Sequence, residues 1–297
     1  MEIRWLQAFV AVAEELHFGR AAERLHMAQS PLSQTIRKLE KDVGVPLFER
    51  NTRSVALTAA GHALLPHAYR VLDGVSTARH AIRASEGGVY GHLRIGFTGV
   101  LNHLALPPLT RALRQRFPDI ELTLVGRTMT GDAVTQIENG AMDLSFVGLP
   151  VDTSRVNARL IRREPYGVVV PEDHPFAGRA RIDLAEMADQ DFISTPADAG
   201  SALQEVAFQA CLDAGFRPRV VQEITDPYMI LMLVAAGVGV ALMPETIAGL
   251  TPPGTVVVHL SGDPVFMNHA IAWGRGEPSA ALGVALEVAE EILPTPV

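Results

Sequence analysis

The segment AQSPLSQTIRKLEKDVG, residues 28–44, has the pattern of an amphipathic helix with two unlike faces. The apolar residues recur at steps of four, three and four, so at about 100° per residue they gather on one side. These residues are Leu32, Ile36, Leu39 and Val43. Ser30 followed by Pro31 is a helix start signal, and Gly44 is an end signal. We therefore predict a helix whose apolar side is buried.

The other side of this helix carries hydrogen-bonding groups and three cations. Its members are Ser30, Ser33, Gln34, Arg37, Lys38 and Lys41, which include both lysines of the chain. A polar, charged helix face is usually just solvated, so this pattern alone leaves that interpretation open.

The flanking segments predict a small helical domain. Steps of three and four between apolar residues predict a helix over residues 4–16, and FGRAAERL (18–25) predicts a short second helix. PLFERNTRSVALT (46–58) contains two short extended runs around a polar turn that carries Arg50 and Arg53. Three helices and a basic hairpin are typical of a winged helix-turn-helix, whose recognition helix enters the major groove while the wing meets the backbone.

Charge is spread unevenly along the 297 residues. The net charge is -8, which argues against a nucleic-acid partner, but the balance is +1 in residues 1–58 and -9 in the rest. The acidity therefore belongs to the C-terminal part. Near-neutral charge in the N-terminal part suggests that tight DNA binding depends on dimer symmetry rather than on bulk charge.

The first 61 residues resemble the signature of LysR-type transcriptional regulators in order and spacing. The matching positions are Phe18, Ala21, Ala22, Leu25, Met27, Ser30, Pro31, Leu32, Ser33, Ile36, Leu39, Glu40, Val43, Gly44, Leu47, Phe48, Arg50, Leu57, Thr58, Ala60 and Gly61. This resemblance favours DNA binding over a merely solvated face.

The resemblance implies a DNA-binding role for particular residues of this sequence. Base-reading positions would be Gln29, Ser30, Ser33, Gln34 and Arg37, with Pro31 at the helix start. Gln can bond bidentately to adenine and Arg to guanine, whereas Lys is better suited to phosphate. We expect Lys38, Lys41, Arg50 and Arg53 to contribute mainly sequence-independent affinity.

A long helix is predicted to follow the wing. Thr58 is a cap candidate, and apolar residues then step by four and three along a heptad seam: Leu64, Ala68, Val71, Val75, Ala78 and Ile82. Such a seam pairs with another helix or packs on its own chain. The resemblance implies pairing in a dimer. SEGGVYG (85–91) then predicts a hinge.

From His92 onward, short apolar runs alternate with helical patterns, which predicts an α/β fold. The resemblance implies a two-lobed effector domain similar to type II periplasmic binding proteins. FMNHAIAWG (266–274) and the terminal helix are expected to return to the first lobe. We expect a winged helix-turn-helix over 1–58, a linker helix and hinge over 59–91, and an effector domain over 92–297. Its lobe I would span about 92–160 plus 266–297, and its lobe II about 161–265.

The cleft between the lobes is the expected effector site. By motif position its residues would be Thr98, Gly99, Val100, Arg127, Thr128, Gly148, Thr195, Pro196, Ser201, Thr225 and Tyr228. Several precede helices, whose free amides favour an anion, so a small organic or aromatic carboxylate is the expected effector. Arg127 is a candidate counter-ion, although an arginine at a strand end is often simply exposed. Gly148 stands where related sensors sometimes carry another cation.

Other classes of protein fit the sequence less well. No G-x-S-x-G elbow, H-E-x-x-H motif, P-loop or pair of cysteines is present, so we expect no enzyme, cofactor or metal. Cys211, the one cysteine, is expected to be a small buried hydrophobe. No apolar run could span a membrane and the N-terminus is acidic, which favours the cytoplasm.

We expect a homo-oligomer, a dimer or a dimer of dimers, bound to double-stranded promoter DNA. RNA polymerase is a further candidate partner. A cytoplasmic solute-binding module without transcriptional output is the alternative, and the helix-turn-helix argues against it.

Overall fold

The computed structural model of the chain describes residues 1–50, 55–83 and 88–296. Contacts divide the chain into two compact units. The first contains Met1–His92 with Asp119–Glu121 and Glu138–Ala141, and the second contains Leu93–Pro118, Leu122–Ile137 and Met142–Val297.

The first unit contains the predicted winged helix-turn-helix. Helices α1, α2 and α3 span Ile3–Glu15, Phe18–Arg24 and Gln29–Val43. Strands β1 (Phe48–Arg50) and β2 (Val55–Leu57) pair antiparallel as the wing. The core beneath them is apolar and includes the fully buried Phe9, Leu32, Ile36 and Leu39. These contacts confirm the buried face predicted for α3.

Two details of α3 differ from the prediction. The helix begins at Gln29 after Ala28, an extended residue that makes no side-chain cap, so Ser30 is not the N-cap. Pro31 has no backbone N–H. It lies in the first turn, where amide groups have no acceptor within the helix, so no helical hydrogen bond is lost. Val43 is 36% exposed rather than buried, since it lies in the last turn, next to the left-handed Gly44 that ends the helix as predicted.

Helix α4 (Ala59–Arg83) follows the wing directly. Thr58 caps it as predicted, since its hydroxyl accepts a hydrogen bond from the Gly61 amide at 3.0 Å. Leu64 and Ala68, at the start of the predicted seam, pack against the core of the first unit. Val71, further along, is 43% exposed. The side chain of Ile82 and residues 85–87 of the predicted hinge lie outside what the structure describes.

After α4 the described residues contain ten strands and five α-helices, which lie almost entirely in the second unit. The strands are β3 (Gly91–Gly96), β4 (Ile120–Val125), β5 (Leu144–Gly148), β6 (Val156–Pro171), β7 (Arg181–Ile182), β8 (Asp191–Ser194), β9 (Arg219–Glu223), β10 (Ala241–Pro244), β11 (Thr255–Leu260) and β12 (Phe266–Gly274). The helices are α5 (Leu106–Arg116), α6 (Thr130–Glu138), α7 (Ala202–Asp213), α8 (Pro227–Ala235) and α9 (Ala280–Ile292).

Two long strands join the two lobes of this unit. The large sheet has the order β4-β3-β5-β12-β6-β11-β7, with β10 also on β6, while β8 and β9 form a separate parallel pair. Strand β12 runs antiparallel to both β5 and β6 and lies between them in the sheet, while the predicted bounds of the two lobes stay a prediction. Separate buried clusters lie around Val134 and Val156 in lobe I and around Val168 and Leu231 in lobe II. The two-lobed α/β architecture is therefore confirmed.

Candidate DNA-binding surface and effector pocket

The polar side of α3 forms a continuous exposed surface, which we call the recognition face. Its members are Gln29, Ser30, Pro31, Ser33, Gln34, Arg37, Lys38 and Lys41. All are exposed except Ser33, which is half-buried. Because Leu32, Ile36 and Leu39 anchor the opposite side in the core, the recognition face is held in one orientation relative to its domain.

The cations of the recognition face differ from the other cations of the same domain. Arg20 and Arg24, on α2, are neutralised by ion pairs with Glu15 and Glu14. Among the described residues, Arg37, Lys38 and Lys41 make no ion pair. Unpaired cations next to amide and hydroxyl groups are suited to phosphate and base edges.

The wing is fixed to the C-terminal half of α3 through Glu40. One oxygen of its carboxylate accepts hydrogen bonds from the amides of Leu47 and Phe48, at 3.0 and 3.3 Å. These two hydrogen bonds hold the start of β1 against α3. The side chain of Arg50 and the whole of Arg53 lie outside the described part of the chain, so their predicted contacts stay predictions.

A crevice lined by both polar and apolar residues lies between the two lobes, and we call it the interlobe pocket. It has about 320 Å³ of unfilled space, part of it open to solvent. Its polar lining consists of Thr98, Asn102, Thr130, Ser201 and His269. The rest of the lining consists of apolar residues and one glycine: Leu101, Met129, Phe146, Val147, Gly148, Ala202, Leu203 and Met267. A lining that mixes apolar side chains with a few polar groups is typical of small-molecule sites.

The structure brings three of the predicted effector residues to this pocket and leaves the others outside its lining. Thr98, Gly148 and Ser201 line it. Thr128 is buried just behind, and its hydroxyl donates to the carbonyl of Val125 at 2.9 Å while its own carbonyl accepts from Thr98. The predicted residues outside the lining are Gly99, Val100, Arg127, Thr128, Thr195, Pro196, Thr225 and Tyr228.

Arg127 and Thr195 occupy unlike environments. Arg127 is exposed, with a left-handed backbone (φ 60°). Thr195 is 2% exposed and borders an apolar cavity inside lobe II, and its hydroxyl has no hydrogen-bond partner among the described residues. Cys211 borders the same cavity, where burial raises the pKa of its thiol to about 12, in line with the predicted small buried hydrophobe.

Sequence reasoning missed Asn102, Thr130 and His269. Side chains alternate between the two faces of β12, which places His269 on the same face as the buried Met267. This alternation is a sequence signal that could have identified His269. Asn102 had no such signal, since it lies in a 3-10 turn (Gly99–Asn102) where its side chain accepts the Thr98 amide at 2.6 Å.

Two further properties concern the whole described chain. Within residues 1–50, 55–83 and 88–296, no three His, Cys, Asp or Glu side chains are grouped as a metal site would require. No helix in those ranges is long and apolar enough to cross a membrane.

Comparison with known protein families matches nearly the whole chain. Residues 3–62 match the model described as "Bacterial regulatory helix-turn-helix protein, lysR family". Residues 86–293 match the model described as "LysR substrate binding domain".

Known proteins show the same similarity along their full length. The regulator ShiR of Corynebacterium glutamicum (strain R) is 48% identical over 292 residues, covering 98% of this chain and 99% of that protein. The crystal structure of CbnR, a LysR family transcriptional regulator, superposes with a TM-score of 0.73 at 25% identity, covering 99% of each chain. Full-length CbnR complexed with its target DNA gives 0.72 at 26% identity, covering 98% of this chain and 100% of that one.

Proposed function

The chain belongs to the LysR family of DNA-binding transcriptional regulators, and from this premise we propose that the recognition face of α3 reads its operator. This assignment rests on Arg37, Lys38 and Lys41, which make no ion pair among the described residues and lie beside Gln34 and Ser33. Arg37 and Gln34 would contact bases, and Lys38 and Lys41 would contact phosphates. The wing would add phosphate contacts from Arg50 and Arg53.

We propose that the protein works in the cytoplasm as a homo-oligomer, a dimer or a dimer of dimers, on two-fold symmetric promoter DNA. The heptad positions on α4 support pairing, because Val71 and Ala78 are exposed there and Val75 is half-buried. Contact with RNA polymerase belongs to the same proposal.

The Lys41→Ala variant tests the division between phosphate and base contacts. Loss of one phosphate contact should weaken binding to every duplex alike and reduce the slope of log K against log salt by about one unit. Fluorescence anisotropy between 50 and 200 mM salt, with a selected operator and a scrambled duplex, measures both. A loss confined to the operator would instead show that Lys41 reads bases.

We further propose that the interlobe pocket binds a small organic or aromatic carboxylate and releases it unchanged. Three hydroxyl or amide side chains from lobe I and one from lobe II converge there, which allows a ligand to favour one arrangement of the lobes. A ligand that binds one arrangement of the lobes more tightly than the other would stabilise that arrangement, and DNA binding would be regulated through this change.

Thermal-shift screening of the full-length protein tests the carboxylate assignment. A ligand at about 100 times its Kd contributes about 2.7 kcal/mol, so an unfolding midpoint about 5–10 °C higher is expected. Recovery of the ligand after incubation should show no turnover. Absence of any shift with organic acids, alongside a shift with neutral solutes, would contradict the proposal.

A further inference from the structure

The wall of the interlobe pocket formed by β12 contains a buried histidine backed by a buried carboxylate. His269 is 6% exposed and Glu164, on the neighbouring strand β6, is 4% exposed. The Nε2 atom of His269 lies 3.2 Å from Oε2 of Glu164. The Thr246 hydroxyl donates to the same carboxylate oxygen at 2.7 Å, so Glu164 is held in place independently of the histidine.

This arrangement determines what the other ring nitrogen can offer. With Nε2 bonded to a carboxylate, the proton of a neutral imidazole belongs on Nε2, and Nδ1 is left as an acceptor. Nδ1 has no hydrogen-bond partner in the part of the chain that the structure describes. Protonation would turn Nδ1 into a charged donor.

Among the described residues that line the pocket, His269 is the one whose side chain can carry a charge. The hydroxyl groups and the Asn102 amide can orient a ligand but cannot neutralise an anion. Arg127, the counter-ion expected from the sequence, is not part of this lining. A carboxylate in the pocket would therefore depend on His269 for a side-chain countercharge.

The charged groups around the pair define its electrostatic balance. On β6, the Nε atom of Arg162 lies 3.4 Å from the other Glu164 oxygen, and Arg163 bonds Asn268 and lies over the Phe266 ring. In the segment that carries Thr246, Glu245 pairs with His259 of β11 at 2.7 Å. Burial alone would raise the pKa of Glu164, but the hydrogen bond and the positive charge of a protonated His269, the Thr246 hydrogen bond and the Arg162 charge hold it below its ordinary value.

We propose that His269, as an imidazolium backed by Glu164, binds the anionic group of the effector, and that effector binding takes up one proton from solvent onto Nδ1. This inference rests on the proposed carboxylate effector. With a neutral ring, the pocket lining would offer an incoming anion no positive charge, because Arg162, the cation beside Glu164, lies outside that lining. With a protonated ring, the pair carries no net charge and presents an N–H donor to the ligand. Anion affinity therefore falls as pH rises.

The test uses full-length protein with acetate, benzoate and salicylate, and with the corresponding neutral amides as controls. Calorimetric titrations in buffers of different ionisation enthalpy count the protons taken up on binding. We expect the number of protons taken up with the tightest carboxylate to rise with pH toward about one, and the Kd to rise with it by at most about tenfold per pH unit. The amides should bind more weakly and with no such pH dependence.

Two variants assign the proton to a residue. His269→Gln should lower carboxylate affinity at pH 6.5 about tenfold or more and abolish the pH dependence. His259→Gln is the matched control, since it removes another histidine of a His–Glu pair outside the pocket lining, and it should change neither quantity. The count of protons on the unmodified protein needs no variant, so poor folding of His269→Gln would not remove the test.

The possible results separate this inference from the proposed function. Carboxylate binding without proton uptake would overturn the role of His269 and leave the carboxylate effector standing. Proton uptake that persists in His269→Gln would overturn the assignment to this residue. Failure of every carboxylate to bind would overturn both. Uptake that is lost in His269→Gln and kept in His259→Gln would support it.

Discussion

The Ile36→Ala variant is expected to lose about 2–5 kcal/mol of unfolding free energy from the DNA-binding domain. Ile36 is fully buried on the inner side of α3, within the cluster that includes Phe9 and Leu39. Removing its side chain beyond Cβ leaves a cavity beneath the recognition face, because the surrounding helices close in only partly. This loss is a large fraction of a domain's total stability.

The two tryptophans of the chain allow this loss to be measured in the domain where it arises. Trp5 packs against the core that contains Ile36, and Trp273 lies on β12 of the effector domain. With Trp273→Phe as background, Trp5 fluorescence should show a lower urea midpoint in the variant. With Trp5→Phe as background, the Trp273 transition should not move.

Ile3→Ala is the matched control for this prediction. It makes the same truncation at a position on α1 that is 42% exposed, so it should cost well under half as much. Equal losses for Ile3→Ala and Ile36→Ala would contradict the packing described for α3.

The Arg37→Ala variant is expected to bind its operator about 5- to 150-fold more weakly, with the unfolding midpoint unchanged. Arg37 is adjacent to Ile36 in sequence but lies on the exposed side of the helix, where no ion pair among the described residues competes for its guanidinium. Loss of a bidentate contact to guanine costs about 1–3 kcal/mol and relaxes specificity at that base pair.

Operator and scrambled duplexes distinguish base reading from loss of charge. The operator should lose affinity more than the scrambled duplex, so the specificity ratio should fall. Arg116→Ala removes one positive charge from α5 of the effector domain and should leave that ratio unchanged. A parallel decline on both duplexes for Arg37→Ala would mean that Arg37 contacts phosphate only.

The DNA-binding domain could be predicted from sequence because its signals are local. Steps of three and four placed Leu32, Ile36 and Leu39 in the core, and all three are buried. The beginning of α3 was less predictable, because Ser30–Pro31 is compatible with a helix that starts earlier, at Gln29. Val43 fits the same apolar steps, yet the end of the helix at Gly44 leaves it partly exposed.

The effector pocket could be predicted only in part, since long-range strand pairing assembles it. Thr98, Gly148 and Ser201 follow strands or precede helices, and such positions can be found from the alternation of elements. His269 lies inside a strand, and its relation to Glu164 depends on the antiparallel register of β12 on β6, which brings together residues 105 positions apart. No spacing in the sequence encodes that contact.

Selection of duplexes from random-sequence DNA, carried out in parallel with the full-length protein and with Arg37→Ala, tests the central claim most directly. We expect the unmodified protein to enrich an inverted repeat, and Arg37→Ala to lose preference at one base pair in each half-site. Footprints on that repeat should change when the tightest carboxylate is added at pH 6.5. Enrichment of the same sequence to the same extent by both proteins would contradict base reading by the recognition face.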